Sequence, residues 1–359
     1  MLLAVVALAA IGAMVAGCFL AGWLEARSAA AGRYGSAAFQ AAEAGLAETI
    51  AAWGPELSRL PLRTDSVTAA AVATAGSGLA DYTATVTRLS PGTFLVRSEG
   101  RRRAAAGPAL ARRLLGVFVR LESPEVDHGS ALTLSGPATL ANPDVVDGSD
   151  HVPAGWDSLC PAPSDQPRIR SGGPAVTTDS GAPVPVVVDT LIGPATFTAF
   201  GPVTFDELAA RAVREVAGSF GPLAPSTAGA GCDIGAASNW GEPSTGAGSV
   251  AECFGFMPII HGAGDLSLVG GRGQGVLLVE GDLDLSGGVE FFGVVVVLGR
   301  VTTSGAGGHV TGTLLVGGAG MSSIGVGSRV EYSGCAVVRA LEANGVPHRL
   351  RERSWAQLY

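Results

Sequence analysis

Hydrophobic and polar positions divide the chain into three stretches with different periods. Residues Met1–Trp23 carry no charged side chain, and Glu25 is the first ionisable one. Roughly 20 apolar residues in a helix cross a ~30 Å hydrocarbon core, so residues 1–24 are predicted to form a transmembrane helix. The run is longer than a signal-peptide core, and no basic stretch precedes it in this sequence. The pattern then changes to Phe39, Ala42, Leu46, Ile50 and Trp53, whose steps of three and four mark one face of an α-helix. Gly54-Pro55 ends it, because proline lacks the amide donor and clashes with the preceding turn. Tyr82–Arg88 and Thr93–Glu99 flank Ser90-Pro91-Gly92, a hairpin signal, and Leu114–Leu121 reads as a third strand. Residues 25–124 are therefore expected to be an amphipathic helix with a small antiparallel β head.

Beyond residue 124 the period lengthens. Gly275-Val-Leu-Leu-Val-Glu-Gly281, Gly293-Val-Val-Val-Val-Leu-Gly299 and Gly312-Thr-Leu-Leu-Val-Gly-Gly318 begin 18 and 19 residues apart, and a looser Gly334-Cys-Ala-Val-Val-Arg-Ala340 follows after 22. The turns Gly264-Asp-Leu-Ser-Leu268, Gly281-Asp-Leu-Asp-Leu285 and Gly299-Arg-Val-Thr-Thr303 repeat as well. Such self-similarity predicts a parallel β-solenoid over 125–345, with apolar runs buried by stacking between rungs above and below. Gly136–Leu140, Gly193–Phe197 and Gly201–Phe205 are expected as earlier, irregular rungs. Thr204-Phe-Asp-Glu207 is a capping box that should open a helix through about Ala217. Ala154–Pro167 and Ser226–Ser249 read as long surface loops, and 346–359 as a capping tail over the open end of the stack. The fold class expected is α+β, mainly β.

Composition narrows the function. The chain has 359 residues, 53 of them glycine and 21 proline, with only 15% charged. All 23 basic residues are arginines, which removes lysine-dependent phosphate binding and Schiff-base chemistry. The net charge of −8 is unevenly spread: residues 1–124 hold twelve Arg against eight acids, and residues 125–359 hold eleven Arg against 23 acids. Nucleic acid is not an expected partner. Arg101–Arg103 with Arg112 and Arg113 form the one basic cluster, expected to be a solvated loop. Among the five cysteines, Cys18 falls in the apolar run. Cys160, Cys232, Cys253 and Cys335 lack zinc spacing and are expected to form two disulfides, Cys232 with Cys253 and Cys160 with Cys335; free core cysteines are the alternative. The arginines after the span would by themselves favour a cytoplasmic flank, whereas the cysteines place the bulk of the chain in an oxidising compartment.

The long helix, with Ala41-Ala42-Glu43-Ala44-Gly45-Leu46 near its end and a hairpin and strand after it, resembles the PilX N-terminal family of type IV pilus assembly proteins over residues 1–122. The glycine-rich repeats are similar to the β-solenoid that often follows such anchors and to bactofilin rungs, and Arg353-Ser354-Trp355 fits the same group. The resemblance implies a structural subunit of a pilus or secretion system. It would be anchored in the bacterial cytoplasmic membrane, with its C-terminal part outside and other pilin-like subunits as partners. Phe39, Glu43, Leu46 and Ile50 are its implied assembly residues. Such proteins carry a basic leader and an early helix glutamate, which this sequence lacks before Glu25. We therefore expect either a start that lies further upstream or a true non-pilin anchor.

Catalytic chemistry finds little support. Asp282 and Asp284 share one face of a strand, but Asp265 repeats Asp282 one turn earlier, as a structural turn residue does. His128, His151, His261, His309 and His348 show no metal-ligand spacing, and no nucleophile elbow is present. No catalytic residue, metal or cofactor is expected. The alternatives carried forward are a membrane-anchored β-helical carbohydrate-active enzyme and a bactofilin-like polymerising scaffold.

Overall fold

The structure, a computed structural model, describes residues 2–54, 57, 60, 62–63, 65–74, 78–90, 92–104, 108–160, 162–173, 175–350 and 355–358. The chain divides into two compact units, Met1–Glu122 with Val346–Tyr359, and Ser123–Gly345.

In the first unit one helix, α1 (Leu2–Ala51), runs through both expected segments without a break. Alanine and leucine favour it throughout. Four antiparallel strands follow in order: β1 (Asp65–Thr74), β2 (Gly78–Ser90), β3 (Thr93–Arg103) and β4 (Ala109–Glu122). The hairpin and third strand expected from alternation are present and longer than predicted, and β1 is additional. Alternate residues of the sheet, including Val86, Phe94, Val96, Leu115, Val117 and Val119, bury one face against α1.

Within 346–359, expected to cap the stack, the two described strands instead extend this sheet. Val346–Arg349 and Trp355–Leu358 both pair antiparallel with β4 and close that strand's open edge. Arg353 and Ser354 lie outside the described residues. The basic cluster is also not a loop. Arg101–Arg103 end β3 and Arg112–Arg113 lie in the first part of β4, with Arg101 opposite Arg112.

In the second unit the 17–19-residue period becomes a curled parallel sheet. Ile260, Leu277, Val295, Leu314, Leu132 and Ile169 stand in register across successive strands and point into one core. A second column runs through Leu266, Leu283 and Val301. The corner between strand segments is set by Gly275, Gly293 and Gly312, stacked in register with φ of 117°, 134° and 148°. A Cβ on Gly312 would collide with the carbonyl oxygen of Gly293, and one on Gly293 with that of Gly275. Only glycine fits there.

The reason Val294–Val297 is apolar throughout differs from the expected one. Val295 and Val297 face the inner core, while Val294 and Val296 face outward into a second core under Phe197, Phe205, Leu208, Ala336, Val337 and Ala340. The run is buried on both faces as well as between the strands stacked above and below it.

The elements that cover it are ones the repeat pattern misassigned. Gly334–Ala340 is not a rung but part of a helix, Gly334–Ala343, whose Ser333 side chain accepts from Ala336 N at 3.2 Å. Gly193–Phe197 contributes to a short helix, Pro194–Thr198, and Gly201–Phe205 to a turn before another, Phe205–Ala209. The capping box is formed, but the helix stops at Ala209 because Arg214–Phe220 is taken up as a parallel strand beside Ile260–Leu268. Gly136–Leu140 does supply a rung, Ala138–Leu140, but it lies beyond Ser322–Ile324 in the stack, not before it. The two long loops are each pinned by a fully buried tryptophan, Trp156 and Trp240.

Candidate assembly surface

The first part of α1 is bare. Leu8, Met14 and Phe19 are 71%, 71% and 80% exposed, and by length and composition this helix can cross a membrane. From Gly35 onward one side is covered: Gly35, Ala38, Ala41, Ala42, Gly45, Leu46 and Thr49 are buried. Small residues dominate because helix and sheet approach closely. A Cβ on Gly100 of β3 would overlap the backbone of Ala38 and Ala42, and one on Gly45 would overlap Ser98 and the Tyr82 ring. Trp53 completes the contact edge-on to Phe94, with centroids 5.0 Å apart. The Tyr82 hydroxyl donates to Glu48 at 2.6 Å; burial first, then that carboxylate, push the phenol up to about 12.

Of the four residues expected to mediate assembly, Leu46 is buried in the head's own core, with Phe39 and Ile50 packed partly buried against it. They are committed within the subunit. Glu43 alone is exposed, on a face it shares with Ser36, Gln40 and Ala47. The Ala41–Leu46 string thus encodes two surfaces: Ala41, Ala42, Gly45 and Leu46 turn to the sheet and Glu43 turns away. Of this face the sequence pointed only to Glu43, because Ser36, Gln40 and Ala47 carry no hydrophobic signal. Its signal was the complementary spacing 36, 40, 43, 47.

The arginines at the β3–β4 end are partly paired. Arg101 donates to Glu99 at 2.8 Å and Arg103 forms an ion pair with Asp81 at 2.5 Å. The Arg101 hydrogen bond holds the Glu99 carboxyl below its usual range.

In the second unit the structure joins Cys232 to Cys253 and Cys160 to Cys335, and leaves Cys18 free and exposed on α1. The repeated aspartates stitch one turn to the next. Asp265 accepts from Asp282 N at 2.8 Å, and Asp282 accepts from Arg300 N at 3.0 Å and Arg300 Nε at 2.7 Å. Asp284 accepts from the hydroxyls of Ser267, Thr302 and Ser304. Among the described residues no cluster of three or more His, Cys, Asp or Glu side chains is placed to hold a metal ion.

One cleft, of about 310 Å³, lies on the outer side of the strands, lined by His151, Pro153, Glu290, Phe292, His309, Thr311 and Glu331. His309 is in register with Glu290, as the repeat spacing implied. Beside it His151 Nε2 lies 3.0 Å from Asp147 Oδ2. The Asp147 carboxyl is held down to about 2, chiefly by the Ser149 amide, then by His151 and the Ser149 hydroxyl.

No family model matches this sequence, and no curated protein matches it. Among solved structures, the competence-associated pilin ComZ from Thermus thermophilus aligns at 13% identity. The alignment covers 90% of this chain and 97% of that one, at a TM-score of 0.26. A superposition at that score does not establish a shared fold.

Proposed function

We propose that the chain is a single-span envelope protein: a pilin-like structural subunit of a type IV pilus or related secretion system that holds a β-solenoid outside the cytoplasmic membrane. The observation that carries this reading is α1 itself. Among the described residues, the apolar side chains of its first half are exposed, and its second half is fixed to a sheet through glycine and alanine. A polar-to-small face, Ser36, Gln40, Glu43 and Ala47, stays open for neighbouring helices. The outward orientation rests on the two disulfides, which persist in oxidising compartments.

The test is envelope fractionation and co-purification. Ala47→Arg, on the open face, should leave the protein folded and membrane-bound while losing other helix-anchored envelope subunits from the purified complex. Recovery of the variant from the soluble fraction, or undiminished association, would reject the subunit reading. A second reading, a carbohydrate-active surface, draws on the cleft with Phe292 between Glu290, Glu331 and two histidines. Cleavage of an envelope polysaccharide by the intact chain, lost in Glu290→Gln, would move it ahead.

A further inference from the structure

We propose that the α1-proximal end of the head forms a basic collar that binds anionic lipid headgroups at the membrane surface, an inference that rests on the single-span reading. The placement follows from chain direction. β3 runs opposite to α1: Phe94 meets Trp53, Ser98 lies under Gly45, and Gly100 lies under Ala38 and Ala42. The next residues, Arg101–Arg103, therefore extend toward the bare part of the helix. β4 returns beside them, with Ala109 opposite Arg103, Ala111 opposite Arg102 and Arg113 opposite Gly100. Arg113 reaches α1 itself, since a Cβ on Gly35 would lie 3.1 Å from its Nη2.

Helical rise places the level of Ala38–Ala42 about 24 Å beyond Leu24. Three strand residues bring Arg103 back by about 10 Å, to about 14 Å. The polar layer of a bilayer is about 6 Å thick on each side of the hydrocarbon. The remaining gap is about one Debye length, ~8 Å at physiological salt, so the charges act on the surface.

Charge in this zone is one-sided. Arg27, Arg33, Arg101, Arg102, Arg103, Arg112 and Arg113 stand against Glu25, Glu43, Asp81 and Glu99 as acids in the same stretch of helix and hairpin. Glu99 and Asp81 are engaged by Arg101 and Arg103, and Glu99 is also 3.8 Å from Arg112. An excess of positive charge remains in a chain whose net charge is −8. Leu110, 45% exposed, stands next to Arg112 as an apolar foot. Guanidinium groups suit phosphate through paired donors, and basic residues near a lipid surface attract anionic headgroups additively.

The experiment uses the full chain in lipid nanodiscs. An environment-sensitive fluorophore is placed at Leu110→Cys in a Cys18→Ser background, with a spin-labelled headgroup lipid as quencher. In discs of phosphatidylcholine with phosphatidylglycerol, quenching should be several-fold stronger than in phosphatidylcholine alone. Raised salt should remove the difference, and so should Arg112→Gln with Arg113→Gln. Equal quenching in the two lipids, or a difference that survives the double substitution, overturns the collar. Insertion into pure phosphatidylcholine discs reports on the span separately: a chain that fails to insert contradicts the anchor, whereas one that inserts with a lipid-blind probe contradicts the collar alone.

Discussion

The contact that fixes the head to its helix is made by atoms that are absent. Gly45 and Gly100 let α1 lie directly on β3, so a side chain at either position has nowhere to go. Gly100→Val should cost about 1–3 kcal/mol or more in thermal or denaturant unfolding, as overpacking does. Gly12→Val, at a position with no atom within 4 Å, should leave the melting temperature unchanged. Equal melting of the two variants would remove the close-packing argument. Asp147 offers a second test at this scale. Its carboxyl falls from the ordinary 3.8 to about 2 in the folded chain, so its contribution is present above pH 3.8 and lost as pH drops toward 2. Asp147→Asn should therefore flatten the acid limb of the stability curve in that window, and an unaltered limb would contradict the assignment. These features were half legible. The Ala41–Leu46 string stood out in the sequence, and with it Phe39, Glu43, Leu46 and Ile50 as implied assembly residues; of these Leu46 is buried in the head's own core, and Phe39 and Ile50 pack partly buried against it. Small residues carry no hydrophobic signal, and a close approach shows only when the partner surface is known.

At the scale of elements, the repeat period was legible and the second layer was not. Gly275, Gly293 and Gly312 mark true corners, and the strands after them stack in the register the spacing implied. An apolar strand buried between layers looks the same in sequence as one buried by stacking, so of the covering helices only the one opened by the Thr204–Glu207 capping box was foreseen. Gly334-Cys-Ala-Val-Val reads as a rung by composition; Ser333 as N-cap and the groove over Val294 and Val296 make it a helix. The order of rungs was illegible for a different reason. Nothing in a parallel register labels which strand precedes which, so Ala138–Leu140 could not be placed after Ser322–Ile324 from sequence. The two-layer account predicts that Val295→Ala and Val296→Ala, on opposite faces of one strand, each cost about 2 kcal/mol. Were one of them silent, that face would be open. Thr302→Asp should also destabilise, because Thr302 lies on a strand and donates to Asp284.

The whole molecule is one chain that leaves the first unit at Glu122 and returns to it at Val346. The β4 edge depends on that return, so truncation after Gly345 should lower the stability of the head and spare the disulfide-linked second unit, as read by hydrogen exchange of each. The cysteine pairs span 21 and 175 residues, and in the chain-entropy model contribute about 3 and about 5 kcal/mol. Non-reducing peptide mapping should recover both links from envelope-derived protein; four free thiols would contradict the outward placement. The claim on which the account depends is that α1 is half in lipid and half shared between its own head and its neighbours. A photoactivatable cross-linker at Glu43, in membranes of the native host, tests it most directly. The account predicts adducts to other single-helix envelope subunits or to a second copy of this chain, with none when the cross-linker replaces Phe118 on the sheet. Adducts to lipid alone, or the same products from both positions, would contradict it.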